Sequence, residues 1–157
     1  MITNNGDDVA KSLQNYTEVL EKKLQHMIAG FAGDVAVQAA LSTPVASDQY
    51  VQSHQTLYKQ RLDAFGIPIS AGFHQGSWQY SEGELVLDPV IKSVDMVQNQ
   101  TEGEALASYK LGDTFYIGSI APNIEYLANR DGIQGKVTEA GVLAAYASDI
   151  KLHFDRG

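Results

Sequence analysis

The first 45 residues constrain the chain most. Apolar residues fall at Val9, Leu13, Tyr16, Leu20, Leu24, Met27, Phe31 and Val35. Steps of three and four place them on one face of a long amphipathic helix. Asp7 and Asp8 precede this pattern and suit the positive N-terminal end of the helix dipole. Gly30 and Gly33 interrupt the run and are expected to bend it. Ser42-Thr43-Pro44 is the stop, because the residue before a proline is pushed out of helical geometry.

Further along, Ser47 can cap a second helix over about 48–65, which Gly66 and Pro68 end. The period then changes. Residues 76–81, Gly-Ser-Trp-Gln-Tyr-Ser, alternate, Glu82-Gly83 offers a turn, and 84–88 follow as Glu-Leu-Val-Leu-Asp. This reads as a β-hairpin. Residues 91–110 are polar and ambiguous, with a short helix expected over 102–109. Leu111-Gly112-Asp113 is a turn, and the aromatic, β-branched stretch 114–120 is a strand. Pro122 opens a short turn or helix, and a last helix is expected over 137–154 with Val142, Leu143, Tyr146, Ile150 and Phe154 on one side. Helices and a hairpin without βαβ units give an α+β fold with a small antiparallel sheet, flanked by helices that include a C-terminal one. With 157 residues and no repeat, the expectation is a single domain over 1–157. Residues 1–46 would form its N-terminal helical segment and 67–157 its sheet-and-helix body.

Composition narrows function mainly by exclusion. The chain has no cysteine, so disulfides, thiol catalysis and thiolate metal sites are ruled out. A net charge of −8 is not the basic footprint of a protein that grips nucleic acid. Residues 1–8 are polar and acidic, unlike a signal peptide, and no stretch reaches the length of an apolar membrane span. Synthesis and folding in the cytoplasm are therefore expected, with no membrane partner.

Chemical motifs are sparse. The four histidines, His26, His54, His74 and His153, form no zinc-protease pattern. His26 and His54 lack the third ligand that a zinc site needs. There is no nucleophile elbow and no phosphate loop. Gly72-Phe-His-Gln-Gly76 leads into a strand, whereas an anion cradle needs a helix N-terminus. Glu82, Glu84 and Asp88 sit on the expected hairpin, where a paired acid and base or a solvated turn are both compatible with the residues. Tyr50, His54, Tyr58 and His74 are the cluster to nominate for a ligand pocket. No cofactor or metal is implied, and no catalytic residue stands out, so the chain reads as a non-enzyme. Trp78, the only tryptophan, stands beside Phe73 and Tyr80 and suits either a core anchor or an interface. Phe115, Tyr116 and Ile117 give the later strand apolar mass on both faces, to be covered by helices or by a neighbouring subunit.

Two blocks carry a resemblance. Residues 67–78, Ile-Pro-Ile-Ser-Ala-Gly-Phe-His-Gln-Gly-Ser-Trp, and residues 110–127, with Gly112-Asp113, Ile117, Pro122 and Leu127, resemble the neck or tail-completion proteins of tailed bacteriophages. In that family a proline-led segment enters a strand through Ser-Trp, and a Gly-Asp turn precedes a second strand and a proline-aromatic stretch. Here Ser70 and Phe73 depart from the first pattern. Ser119, Asn123 and Ala128 depart from the second. The resemblance spans nearly the whole chain in order. It implies a structural virion protein of the head–tail junction or upper tail, assembled in the host cytoplasm. Such a subunit closes into a ring, often of six copies, that contacts connector, tail-tube or sheath proteins. DNA passes through the ring without sequence-specific binding. Phe73, Trp78, Tyr80, Phe115, Tyr116, Pro122 and Tyr126 are the expected interface or structural residues. The alternative is a small cytosolic ligand-binding module or enzyme, using the Tyr50, His54, Tyr58 and His74 pocket.

Overall fold

Residues 5–45, 73–88 and 91–121, together with positions 49 and 53, are described by a computed structural model. The dominant element is α1, Gly6–Ser42, a helix of 37 residues. At about 1.5 Å per residue it is some 55 Å long. It starts with Asp7 and Asp8 in its first turn and stops where Thr43 turns extended before Pro44. It runs through Gly30 and Gly33 without a break in its helical assignment.

After α1, the described elements are a single helical turn α2, Phe73–Gly76, strand β1, Trp78–Glu82, helix α3, Val94–Ser108, and strand β2, Phe115–Ser119. The fold is α+β, with one two-stranded antiparallel sheet among the described residues. The sheet's register sets Trp78 opposite Ser119, Tyr80 opposite Ile117 and Glu82 opposite Phe115. The expected second helix over 48–65, the turn after Pro122 and the helix over 137–154 lie outside the described residues.

Two sequence expectations change. The strand partner of β1 is β2, and not the adjacent stretch 84–88. Gly83 does make the turn, at a φ of +73° that glycine adopts without a Cβ penalty. The chain then doubles back, but side chains tie it down in place of a backbone ladder. Asp88 N–H donates to Gln79 Oε1 at 2.9 Å, and Gln79 Nε2 donates to Asp88 O at 2.6 Å. Ser81 Oγ accepts from Val86 N–H at 3.0 Å and donates to the Glu84 carbonyl. Leu85 and Leu87 lie over Gly118, where a Cβ would meet their δ carbons at 2.7 and 3.1 Å. The second change concerns α3, which begins at Val94 and not near 102. Its buried side is Val97, Thr101 and Ala105, one residue per turn, too narrow a stripe to stand out in a polar stretch.

α3 lies along α1. The contact face of α1 is built from small residues: Ala29, Ala32, Gly33, Ala36, Ala39 and Ala40 are all buried. Small side chains let the two helix backbones approach closely. At Gly33 a Cβ would come within 3.0 Å of the Gln98 carbonyl and 3.3 Å of Glu102 Cβ. Gln98 Nε2 also donates to Asp34 Oδ1 across this seam.

The sheet closes the core. Trp78 and Val97 pack with Ala36, Ala39 and Ala40, while Ala29, Ala32 and Ala105 pack against Tyr80, Phe115 and Ile117. Alanines contribute little area each, so most of the apolar burial at this junction comes from the large side chains that fill the space beside them. The indole Nε1 of Trp78 donates to Thr43 Oγ1 at 2.9 Å, and Thr43 Oγ1 donates to Ala39 O at 2.7 Å. Thus the residue that ends α1 also satisfies the one polar atom of the tryptophan.

Candidate functional site

Alternation along β1 sends Trp78, Tyr80 and Glu82 to one face of the sheet, and Gln79 and Ser81 to the other. On the first face Phe115 gathers an aromatic group. It stacks on Tyr80 at 5.8 Å, meets Tyr109 edge-on at 5.8 Å and meets Phe31 of α1 edge-on at 6.3 Å. Tyr80 and Phe115 are diagonal neighbours across the ladder, the spacing at which large rings reach one another.

Beside this group an open groove of about 810 Å³ runs between β1, the doubled-back segment and α3. Its floor includes Gln79, Tyr80 and Ser81, and its walls carry Glu82, Asp88, Lys92 and Glu104. Lys92 is nearly buried, at 7 % exposure of its side chain, and pairs with Glu104 at 3.4 Å. Its backbone N–H donates to Gly76 O at 2.8 Å, which fixes the lysine at the mouth of the sheet. Tyr80 places its hydroxyl at the α3 side of the groove, buried and without a hydrogen-bond partner. Burial raises this phenol above the usual tyrosine range; the Ser108 hydroxyl pulls the other way, without reaching hydrogen-bond geometry, and the Glu82 carboxylate adds to the rise. Ser108 instead donates to the Glu104 carbonyl at 2.9 Å.

Chemically the groove is a polar trough with an internally satisfied ion pair. Glu82 and Asp88 line it, whereas Glu84 does not. No histidine or cysteine lines it. Among the described residues, no three histidine or carboxylate side chains converge on a metal-sized site. His26 is exposed on α1, with Nδ1 2.8 Å from the Lys22 carbonyl. No helix among the described residues is long and apolar enough to cross a membrane.

The expected interface residues divide by depth. Trp78 is a core residue at 9 % exposure. Tyr80 and Phe115 are half-buried in the aromatic group. Tyr116, pointing to the opposite face, remains 41 % exposed. Phe73 opens α2. Pro122 and Tyr126 lie outside the described residues. So do Tyr50, His54 and Tyr58 of the nominated pocket, while His74 is buried on α2 and does not line the groove.

Lys92, Glu104 and the Gln79–Asp88 clasp were not singled out from sequence. Gln79 and Ser81 do leave a signal, as polar residues at strand period between aromatics. Alternation alone assigns such residues to solvent, yet the doubled-back segment buries them to 6 and 8 % exposure. Compared with known proteins, the chain matches no family model, no curated sequence and no solved structure.

Proposed function

We propose that the chain is a structural subunit of a tailed-phage neck or upper tail, acting by docking to copies of itself and to adjoining tail or connector proteins. The observation that carries this reading is a meeting of two segments. The first block of the resemblance, 67–78, ends at the first residue of β1, and the second, 110–127, contains β2, with Trp78 set against Ser119. The Gly112-Asp113 turn leads into β2, and α2 leads into β1. Exposed apolar side chains support a docking role. Tyr116 at 41 %, Leu85 at 57 % and Val86 at 67 % stand on or beside the sheet away from α1. Aromatic and aliphatic groups of this kind are what subunit interfaces cover.

In this reading ring closure is heterologous, one face of each subunit meeting a different face of the next. Six copies is the expected number, and the location is the virion. The net charge of −8 keeps a ring lumen from gripping DNA that must slide through it. Native mass spectrometry and negative-stain imaging of the full chain provide the test. Closed rings of one defined stoichiometry are expected. A chain that stays monomeric across concentration and melts higher only with a small ligand overturns the reading in favour of a ligand-binding module. A ring lumen lined by basic residues would sink the charge argument separately.

A further inference from the structure

The N-terminal part of α1 is left uncovered by the other described residues. Every position from Asn5 to Val19 is exposed, Leu20 is half-buried, and full burial begins at Ala29. Yet this part carries large apolar groups: Val9, Leu13, Tyr16 and Val19 are 53–62 % exposed. Val9, Leu13, Tyr16 and Leu20 follow the four-three-four spacing of a coiled-coil seam.

We propose that this stretch, Gly6 to Lys23, pairs antiparallel with the same stretch of a second copy, forming a two-fold dimer. Three features select that occupant and that direction. First, the seam is self-complementary when reversed about a point between Leu13 and Tyr16. Val9 of one copy then faces Leu20 of the other, and Leu13 faces Tyr16, so each layer joins one seam residue to another. Second, Lys23 is the next seam position after Leu20. A parallel pair would stack Lys23 on Lys23, a like-charge contact at the seam. The antiparallel pair sets Lys23 against the second copy's Gly6, at the end of the helix. Asp8 and Lys22 lie on the same flank of the seam, the flank of Val19, and this register brings Asp8 level with Lys22 of the other copy. Third, the length fits. The paired stretch ends at Lys23, about two turns before Phe31, the stripe residue whose ring meets Phe115 of β2 edge-on, so the second helix ends before the sheet reaches this face of α1. This pairing is isologous and does not depend on the heterologous ring contacts proposed above.

The absence of cysteine makes the test direct, because every introduced thiol is unique. The full-length chain is purified with single substitutions and oxidised mildly at concentrations around the micromolar range expected of a small interface. Val9→Cys and Leu20→Cys are expected to cross-link to each other when the two variants are mixed, and neither to itself. Leu13→Cys is likewise expected to link to Tyr16→Cys. Sedimentation equilibrium of the unmodified chain should show a concentration-dependent doubling of mass, of the monomer or of a ring, that Leu13→Glu abolishes. Leu13 is exposed in the single chain, so the circular dichroism of that variant should stay unchanged. Self-linking of Val9→Cys would establish a parallel pair and overturn the proposal. So would a sedimentation monomer at all concentrations, or a dimer indifferent to Leu13→Glu, which would mean that another surface, another protein or the chain's own residues 122–157 cover the stripe.

Discussion

The two ends of α1 make opposite use of the same helix. From Ala29 to Ala40 the buried positions are alanine and glycine, and they hold α3 and the sheet. From Gly6 to Val19 the large apolar side chains, Val9, Leu13, Tyr16 and Val19, are all exposed. The two faces are also opposed around the axis. At about 100° per residue, Ala36 falls half a turn round from Val9. Hydrophobic bulk therefore does not decide which face of this helix enters the core. Close approach does: α3 comes near enough to touch Gly33 only because no large side chain intervenes, and Trp78 and Val97 then fill the remaining volume. The large stripe is left over, free for a different partner.

The comparison breaks most visibly if the buried end loses its filler. Trp78→Ala should destabilise the chain by about 3–5 kcal/mol, the range for deleting a large buried aromatic. It removes the ring that packs on Ala36, Ala39 and Ala40, and it also leaves Thr43 Oγ1 without its indole donor. Denaturant unfolding measures the loss. A change below about 1 kcal/mol, the size of an ordinary surface or peripheral substitution, would mean that the alanine face is held by other contacts.

Next in size is the reverse operation, adding bulk where the helix is flat. Ala36 is fully buried between Trp78 and Val97. Ala36→Leu should cost about 1–3 kcal/mol by overpacking, although leucine is nearly as good a helix former as alanine. The contrasting change at the exposed end, Leu13→Ala, should move the stability of the isolated chain by no more than about 0.5 kcal/mol. If the two substitutions had equal effects, the distinction between the two ends would fail. The same pair of measurements at rising protein concentration sharpens it, since only Leu13→Ala should remove a concentration-dependent gain in melting temperature.

This contrast also shows what could be read from residues alone. The length of α1 and its stop at Thr43-Pro44 were legible, because periodicity and the geometry before proline are local properties. So were β1, β2 and the α+β class. The buried face of α1 was not legible, because periodicity finds the stripe of large residues and is blind to alanine, whose burial depends on what approaches it. The partner of β1 was misjudged for a related reason. Glu82-Gly83 does turn the chain, but pairing with β2 places Trp78 and Ile117 together against α1, a long-range gain that no turn signal contains. Of the candidate site, Trp78 and Tyr80 were visible as aromatics at strand period. Lys92 and Glu104 were not, since they stand twelve positions apart in the chain and only the fold makes them a pair.

The smallest effect expected is at Tyr80, on the rim of the buried end. Its hydroxyl is buried without a partner, while its ring stacks on Phe115. Removing the oxygen alone keeps the stack and relieves an unmet polar group, so Tyr80→Phe should be neutral to about 1 kcal/mol stabilising at neutral pH. The pH dependence gives the sharper reading. Burial raises the phenol above its unfolded value of 10.0, so the folded state holds the proton more tightly than the unfolded state does. The unfolded chain then binds fewer protons in the window from 10.0 up to the raised folded value, and stability must fall as pH rises through it. Below that window the contribution is fully present. The difference between the native protein and Tyr80→Phe reports this phenol. Their stabilities should run parallel at neutral pH and diverge above about pH 10, with the native chain losing ground. Parallel curves throughout would show that the Tyr80 hydroxyl reaches water in the folded chain, and the rim of the core would then lie inside the Tyr80 ring and not at its oxygen.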